Sequence, residues 1–364
     1  MAIVRYKGMA DVGKQPPPRA VGQPLAESLG AIMGRLDERV RQGDIEEFLP
    51  IPTGFDELDM VIGGGFRRGQ LVLLSGSAGI GKTSFAMQIA RNIAAEHRAV
   101  CLFACYEHET DYLAQRLIAM ESVDKGGDNL GDGLRLRDIA DLVRAQRDTH
   151  PMSQGFIAAV RTDPRGVRAI ERIARYSQDL LFIKGSSYST TVAALTEEVN
   201  RVRAAQGANS ERPVVLFVDY LQKVAAKTTH SHEEARNVEA LEALKELALQ
   251  QGIVIVAIIA AQIEGLKARR MRLENMLASA ELAYEADIIM VMNEKFNVVD
   301  RHHIDYNQYN AQLFHQYVIL SVEKNRMGSD LVELQLRKQL QFCRFKDAAE
   351  RVTESTITGR LSGQ

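Results

Sequence analysis

The segment of this sequence with the clearest chemistry is glycine-rich, runs from Gly76 to Thr83 and reads GSAGIGKT. It fits the pattern GxxxxGK followed by Ser or Thr, whose backbone N–H groups surround phosphate oxygens. The apolar run Gln70–Ser75 precedes it and a helical pattern, Thr83 to about Glu96, follows, as such a loop requires. Lys82 can neutralise the β and γ phosphates of ATP, and the Thr83 hydroxyl suits Mg²⁺. The predicted ATP and Mg²⁺ site comprises Gly76, Ser77, Ala78, Gly79, Ile80, Gly81, Lys82 and Thr83.

Hydrolysis of a nucleotide also needs carboxylates near the phosphates, and two segments offer them. Asp219 ends the apolar run Val214–Val218, which favours a place beside the metal at the carboxyl edge of a sheet; an exposed turn aspartate is the alternative. Glu107 follows the predicted strand Ala99–Ala104 and emerges at the same edge, where it can activate a water molecule. Glu109 is the competing choice for that role.

The elements that must position these residues alternate between strand and helix patterns after Pro50. A predicted strand precedes the glycine-rich segment, and a predicted helix and a second strand follow it. This order predicts a parallel sheet with a right-handed crossover. Helical stretches at Thr190–Gln206 and Glu233–Gln251 separate further apolar runs, which predict strands at Leu180–Lys184, Val214–Val218, Gly252–Ala260 and Ala286–Met292. The predicted fold class is therefore doubly wound α/β, with a mostly parallel sheet flanked by helices.

The C-terminal part changes to an antiparallel pattern. Gln316–Val322 and Leu331–Leu336 flank a turn and predict a β-hairpin, and a third strand is predicted near Gln341–Phe345. These strands complete a single α/β domain at residues 50–347, which an insertion of loop and helix interrupts at 124–161. Residues 348–364 are polar and predict a frayed tail.

The N-terminal segment divides into an arm and a helix. Residues 1–23 contain three consecutive prolines and predict an extended, mobile arm. Between Pro24 and Gln42 apolar residues recur at spacings of three and four, which predicts an amphipathic helix within a linker at 24–49. Its apolar stripe either folds back onto its own domain or docks on a neighbouring subunit.

Composition excludes several classes of protein. Lys plus Arg is 45 and Asp plus Glu is 47, so the net charge of −2 excludes a uniformly basic nucleic-acid coat. The strongly apolar stretch Gly252–Ile263 is too short to cross a bilayer, so no membrane association is expected. Residues 1–20 contain no apolar core of signal-peptide length, so no signal peptide is expected, and Cys101, Cys105 and Cys343 form no CxxC pair. The chain is therefore predicted to be cytoplasmic. Cys101 and Cys105 lie in an apolar run and are predicted to be small core residues, with redox or metal chemistry as the alternative.

Any contact with nucleic acid must accordingly be local. Lys267, Arg269, Arg270 and Arg272 form a basic cluster without an intervening acid, which suits sequence-independent, salt-dependent binding of a single strand. A second candidate loop contributes Lys223 and Lys227. A solvated basic loop without a ligand is the alternative for the first cluster.

The motifs together resemble a known family. The segments TGFDELD, GSAGIGKTSFAMQIARNIA, YEHET, FVDYLQ, YEADIIMVM and VEKNRMG follow one another over residues 50–347 as in the motor domain of DnaB-type replicative helicases, in the RecA-like P-loop ATPase superfamily. The resemblance implies a RecA-like fold, ATP hydrolysis in DNA replication, and a ring, expected to be a hexamer. It also implies Glu107 as catalytic base, Asp219 as the carboxylate near the metal and Gln262 as the γ-phosphate sensor, with Lys324 and Arg326 acting on the nucleotide of the next subunit.

The sequence also departs from this family. Fewer than 50 residues precede the motor pattern, so coupling to a primase through an N-terminal helical domain is not expected. The segments after Gln262 read Ile263-Glu264-Gly265 and Met276-Leu277-Ala278 where the family has an Asn-Arg pair and a Leu-Arg-Glu stretch. Two functions therefore stay open: a ring ATPase that moves on or remodels single-stranded DNA, and a ring ATPase that acts as a regulatory or scaffold switch on a protein client.

Overall fold

A computed structural model describes most of the chain. The described residues are 26–43, 45, 48–124, 132–149, 155–207, 212–225, 233–261, 268–276, 284–299 and 308–352. The predicted arm at 1–23 and the candidate residues Lys227, Gln262 and Lys267 lie outside this part of the chain. No helix in the described residues is long and apolar enough to cross a membrane.

One nine-stranded sheet organises the domain, in the order β3-β2-β4-β5-β1-β6-β7-β8-β9. The strands from β3 to β6 in this order run parallel, and β7, β8 and β9 continue the sheet antiparallel. Their bounds are β1 Leu71–Gly76, β2 Val100–Cys105, β3 Leu180–Lys184, β4 Val214–Asp219, β5 Val254–Ile258, β6 Ile288–Glu294, β7 Tyr317–Asn325, β8 Val332–Gln339 and β9 Arg344–Arg351.

Helices cover both faces of this sheet. Their bounds are α1 Leu29–Arg41, α2 Asp56–Val61, α3 Lys82–Ala95, α4 Thr110–Ser122, α5 Leu136–Thr149, α6 Phe156–Val160, α7 Pro164–Tyr176, α8 Val192–Gln206, α9 Glu233–Gln251, α10 Lys295–Val298 and α11 Gln308–Phe314. The strands β1, β2, β4 and β5 are buried because α3, α4 and α7 pack on one face, with α8 and α9 on the other. Near-continuous apolar runs such as Val214–Val218 are typical of strands covered on both faces.

Strand direction assigns the candidate residues to two opposite edges of the sheet. β1, β2 and β4 end at Gly76, Cys105 and Asp219, so the glycine-rich loop, Glu107 and Asp219 share the carboxyl edge. β7 is antiparallel to β6, and Asn325 at its end pairs with Ile288 at the start of β6. The segment that holds Lys324 and Arg326 therefore lies at the amino edge.

The structure corrects several predicted boundaries. The third C-terminal strand begins at Arg344, because Leu340–Phe342 forms a 3-10 turn, and it continues to Arg351. Residues 348–351 therefore belong to the sheet and not to a frayed tail. Pairing with β8 explains the extension, since Ala349 pairs with Leu336 and is buried against the core. Within the predicted insertion, α5 and α6 are ordered helices.

The N-terminal helix is shorter than its apolar pattern. It begins at Leu29 because the Ser28 side chain caps it by accepting a hydrogen bond from the backbone N–H of Ala31, at 3.2 Å. Among the described residues α1 buries no side chain of its own. Leu29, Met33 and Val40 are at least half exposed. The stripe therefore does not fold back onto the described part of its own domain.

A buried ion pair joins α3, the helix after the glycine-rich loop, to α4, which covers the same face of the sheet. The Arg91 guanidinium on α3 donates to both carboxylate oxygens of Glu121 on α4, at 2.5 and 2.6 Å. The Tyr176 hydroxyl on α7 donates to the same carboxylate at 2.6 Å. Burial alone raises the pKa of Glu121, but its hydrogen bond and charge interaction with Arg91 outweigh that effect, and the pKa is lowered.

Replacing Arg91 tests this network. We expect Arg91→Ala to lower the free energy of unfolding by about 3–5 kcal/mol, because it leaves the fully buried Glu121 carboxylate without its main partner. Arg201→Ala is the matched control, since Arg201 pairs with Glu198 on the surface and such pairs contribute about 0–1 kcal/mol. Urea unfolding followed by circular dichroism measures both. Equal losses in the two variants would contradict the stabilising role of the buried pair.

Candidate active site

The glycine-rich loop curls between β1 and α3 with a backbone that needs glycine. Gly81 precedes the first residue of α3 with φ of 103° in the left-handed region, and a Cβ atom there would lie 2.8 Å from the Phe345 ring. At Gly76 a Cβ would lie 2.7 Å from the carbonyl oxygen of Met292. The loop therefore packs closely against β6 and β9, and its N–H groups and the start of α3 form a site for anions.

Lys82 is the first residue of α3 and lies half-buried inside this loop. Its Nζ atom donates to the carbonyl oxygens of Gly76 and Ser77, both at 2.9 Å. Burial lowers the pKa of the Lys82 ammonium, and the nearby charges of Asp219 and Glu107 oppose that shift. The structure thus brings Lys82 close to both predicted carboxylates.

Thr83 and Asp219 meet directly at the carboxyl edge. The Thr83 hydroxyl donates to Oδ2 of Asp219 at 2.8 Å, and the Asp219 side chain is 1% exposed. Burial raises the pKa of Asp219, while the hydrogen bond from Thr83 counteracts part of the shift. A hydroxyl and a carboxylate are hard oxygen ligands of the kind that Mg²⁺ prefers, and this pair lies beside a phosphate-binding loop. These residues therefore fit a Mg²⁺ ion that accompanies a nucleotide.

The two candidate bases occupy different surroundings. Glu107 follows β2, where the backbone N–H of Tyr106 donates to the carbonyl of Asp219 at 2.8 Å, and its charge acts on both Asp219 and Lys82. Glu109 instead forms an ion pair with Lys184 at the end of β3, at 2.7 Å, and immediately precedes α4. The geometry favours Glu107 as the carboxylate that faces the phosphate loop.

Arg116 is a residue of this site that the sequence pattern did not indicate. Its guanidinium on α4 donates to the hydroxyl of Ser84, next to Thr83, at 2.7 Å. Burial raises the pKa of Asp219, and the charge of Arg116 opposes part of that rise. The sequence held one indication of its position, the i,i+4 spacing of Tyr112 and Arg116, which places both side chains on one face of α4. In the structure the Arg116 guanidinium lies 5.8 Å from the centre of the Tyr112 ring.

The last strand of the sheet holds α3 in place. The Gln88 side chain on α3 donates to the carbonyl of Phe345 at 3.0 Å and accepts from its N–H at 2.7 Å. The Phe345 ring also contacts the Phe85 ring edge to face, with centroids 5.7 Å apart. β9 thus holds in place the helix that follows the phosphate loop. These contacts join segments far apart in the sequence, so the sequence pattern does not predict them.

Lys324 and Arg326 are far from the phosphate loop of their own chain. Lys324 Nζ donates to the carbonyl of Ala286 at 2.5 Å, and Arg326 donates to Oδ1 of Asp287 at 3.2 Å. The Arg326 guanidinium also donates to the carbonyl of Tyr284. Because both residues lie at the amino edge, the structure does not bring them together with Lys82, Thr83 and Asp219.

The predicted basic cluster is arranged differently from a free cationic loop. Arg269 donates to the backbone carbonyls of Asn297 and Val299 at 2.9 and 2.6 Å. Arg272 pairs at 2.8 Å with the carboxylate of Glu323, and Arg270 pairs with Glu333; both acids are buried residues of the C-terminal hairpin. The described arginines of the cluster therefore already have acceptors within the chain, and two of them are neutralised.

Comparison with known proteins supports the same family as the motifs. The family model of the DnaB-like helicase C terminal domain matches residues 50–347. The chain belongs to the family of DnaB-like helicase C-terminal domains. This finding confirms the resemblance predicted from the motifs.

Individual relatives agree with this assignment. A probable replicative DNA helicase of Trieres chinensis is 21% identical over 300 residues, which cover 82% of this chain and 57% of the relative. A probable plasmid replicative DNA helicase of Chlamydia psittaci is 24% identical over 308 residues, which cover 84% and 57%. The chain thus spans little more than half the length of these relatives.

A solved structure confirms the fold class. This structure, an ATPase domain, superposes with a TM-score of 0.64 at 18% identity, and the match covers 88% of this chain and 98% of that one. The predicted RecA-like α/β core, with a mostly parallel sheet and flanking helices, is therefore confirmed.

Exchanging each candidate base separates their roles. We expect Glu107→Gln to lower kcat for ATP hydrolysis by about 100-fold or more, because the variant cannot accept a proton from the attacking water. Glu109→Gln is the matched control and should retain most of the rate, since Glu109 pairs with Lys184. A steady-state phosphate-release assay measures both. A larger loss in Glu109→Gln than in Glu107→Gln would reverse the assignment.

Proposed function

We propose that this chain is a Mg²⁺-dependent ATPase motor that assembles into a ring and moves along or remodels single-stranded DNA. The observation that carries hydrolysis is the contact of the Thr83 hydroxyl with the buried Asp219 carboxylate, beside Lys82 and Glu107. The relatives are named as a probable replicative DNA helicase and a probable plasmid replicative DNA helicase, which supports DNA as the nucleic acid that is bound. Family membership supports the same nucleotide chemistry.

Each residue at the carboxyl edge has a part in the reaction. The N–H groups of Ser77–Gly81 and the ammonium of Lys82 bind the β and γ phosphates. Thr83 and Asp219 hold Mg²⁺, which supplies neutralising charge for the phosphate oxygens when it is bound. Glu107 accepts the proton of the water that attacks the γ phosphate. Gln262, which follows β5 in the sequence, senses the γ phosphate in this proposal.

Two observations support assembly into a ring, with a hexamer as the proposed form. Lys324 and Arg326 lie at the amino edge, so they can reach a nucleotide only when the amino edge of one subunit meets the carboxyl edge of the next. In that arrangement the guanidinium of Arg326 offsets the charge that develops during phosphoryl transfer. The exposed apolar face of α1, formed by Leu29, Met33, Leu36 and Val40, gains burial by packing on a neighbouring subunit.

A second function is supported by the basic cluster. Arg270 and Arg272 pair with buried acids, so their charge does not extend outward for phosphate binding. A ring that hydrolyses ATP and acts as a regulatory or scaffold switch on a protein client needs no such charge. The two functions differ in whether single-stranded DNA changes the rate of hydrolysis.

The ATPase rate with and without single-stranded DNA tests the proposal. We expect DNA to increase the rate of the unaltered chain at low salt, and the increase to fade as salt rises, because phosphate contacts release counterions. Lys82→Ala should abolish turnover, which also excludes a contaminating ATPase. A rate that does not respond to DNA favours the scaffold switch, and full activity in Lys82→Ala would overturn the assignment of the phosphate loop.

A further inference from the structure

A second cleft opens at the carboxyl edge, beside the helix α9. It has a volume of about 170 Å³, several times the ~30 Å³ that one water molecule occupies in the liquid. Its lining comes from the turn after β3, the segment after β4 and the helix α9, and consists of Ser187, Tyr220, Gln222, Lys223, Val224 and Arg236. None of these lining residues is acidic, and two are basic.

The amide nitrogen of a buried glutamine in this cleft has no partner among the residues that the structure describes. The Gln222 side chain is 6% exposed, and its Oε1 atom accepts the backbone N–H of Ala260 at 3.2 Å. Its Nε2 atom has no hydrogen-bond partner among the described residues. An unpaired buried donor costs free energy, so this N–H group favours a ligand that brings an acceptor into the cleft.

Aromatic rings lie beside this donor. Tyr220 lines the cleft, and the Lys223 ammonium lies 5.9 Å from the centre of its ring. Tyr188, next to the lining residue Ser187, is 98% exposed. A fully exposed tyrosine beside a polar cleft is well suited to stack on the flat face of a ligand.

The turn that carries Tyr188 is fixed next to the cleft. The N–H of Ser186 donates to the Thr190 hydroxyl at 2.9 Å, and the N–H of Tyr188 donates to the Ser186 hydroxyl at 3.3 Å. The N–H of Ala225 donates to the carbonyl of Thr190 at 3.2 Å, which joins this turn to the segment after Tyr220. The exposed ring is therefore presented by a hydrogen-bonded turn.

We propose that this cleft is a subsite for a nucleobase of single-stranded nucleic acid. A base combines a flat aromatic face for Tyr188, a ring acceptor for the Gln222 amide, and an adjoining phosphate for Lys223. The described arginines of the basic cluster are already bonded within the chain, to backbone carbonyls or to buried acids. This subsite rests on the proposed function and assigns the contact to aromatic and amide groups.

The position of the subsite connects it to the nucleotide. Tyr220 directly follows Asp219, whose carboxylate contacts Thr83 at the phosphate loop. Gln222 also bonds to Ala260, shortly after β5 and two residues before Gln262. A base that binds Gln222 is therefore connected to the ATP site through two segments, the one that follows Asp219 and the one that follows β5.

Binding of a single strand to the full chain tests the subsite. The probe is oligo(dT) that contains one 2-aminopurine, whose fluorescence falls when it stacks, with a non-hydrolysable ATP analogue present. We expect Tyr188→Ala to weaken binding by roughly 5- to 100-fold and to remove the quenching, because stacking is lost. Tyr188→Phe should keep both. Lys223→Ala should reduce the steepness of the salt dependence by about 0.7 in log–log slope.

The controls separate this proposal from the proposed function. Phe156→Ala removes another exposed aromatic side chain, on α6 of the insertion, and should bind as tightly as the unaltered chain. If the unaltered chain binds DNA and Tyr188→Ala binds equally well with equal quenching, the base subsite is wrong and the motor function stands. If the unaltered chain neither binds single strands nor responds to them in hydrolysis, both proposals fail.

Discussion

The Asp219 carboxylate is 1% exposed at the end of a strand whose other residues are all apolar and buried. Such a group costs free energy unless its partners replace water, and the hydroxyl of Thr83 does so at 2.8 Å. This contact fixes how closely α3 must approach β4. Gln88 bonded to Phe345 and Arg91 bonded to Glu121 hold α3 at that distance. The position of α3, and of the elements that pack against it, therefore depends on the contact with one buried carboxylate.

The sequence was sufficient for those parts of the site that depend on local pattern. The phosphate loop and the strand that ends at Asp219 were both predictable, because periodicity and strand direction determine the edge at which they lie. Arg116 and the support from Phe345 were not predictable, since they depend on how α4 and β9 pack against α3. Charge pattern alone also missed that Arg270 and Arg272 pair with hairpin acids distant in sequence.

The two edges of the sheet divide the proposed chemistry between subunits. The carboxyl edge holds the loop, the carboxylates and the cleft beside Tyr220, whereas the amino edge holds Lys324 and Arg326. Asp287 keeps Arg326 at that edge and also accepts from Lys245 at 2.7 Å and from the N–H of Leu71. In the proposed function the site needs groups from both edges, so ATP hydrolysis would require an assembly and nucleotide turnover would depend on ring geometry.

Mixing two inactive variants tests this division most directly. Glu107→Gln removes the proposed base from one subunit, and Arg326→Ala removes the guanidinium that the neighbour supplies. If the sites are shared, co-assembled rings contain interfaces where an intact base meets an intact Arg326, and the ATPase rate should exceed that of either variant alone. A rate equal to the average of the two separate variants in rings shown to be mixed would contradict a site built from two subunits.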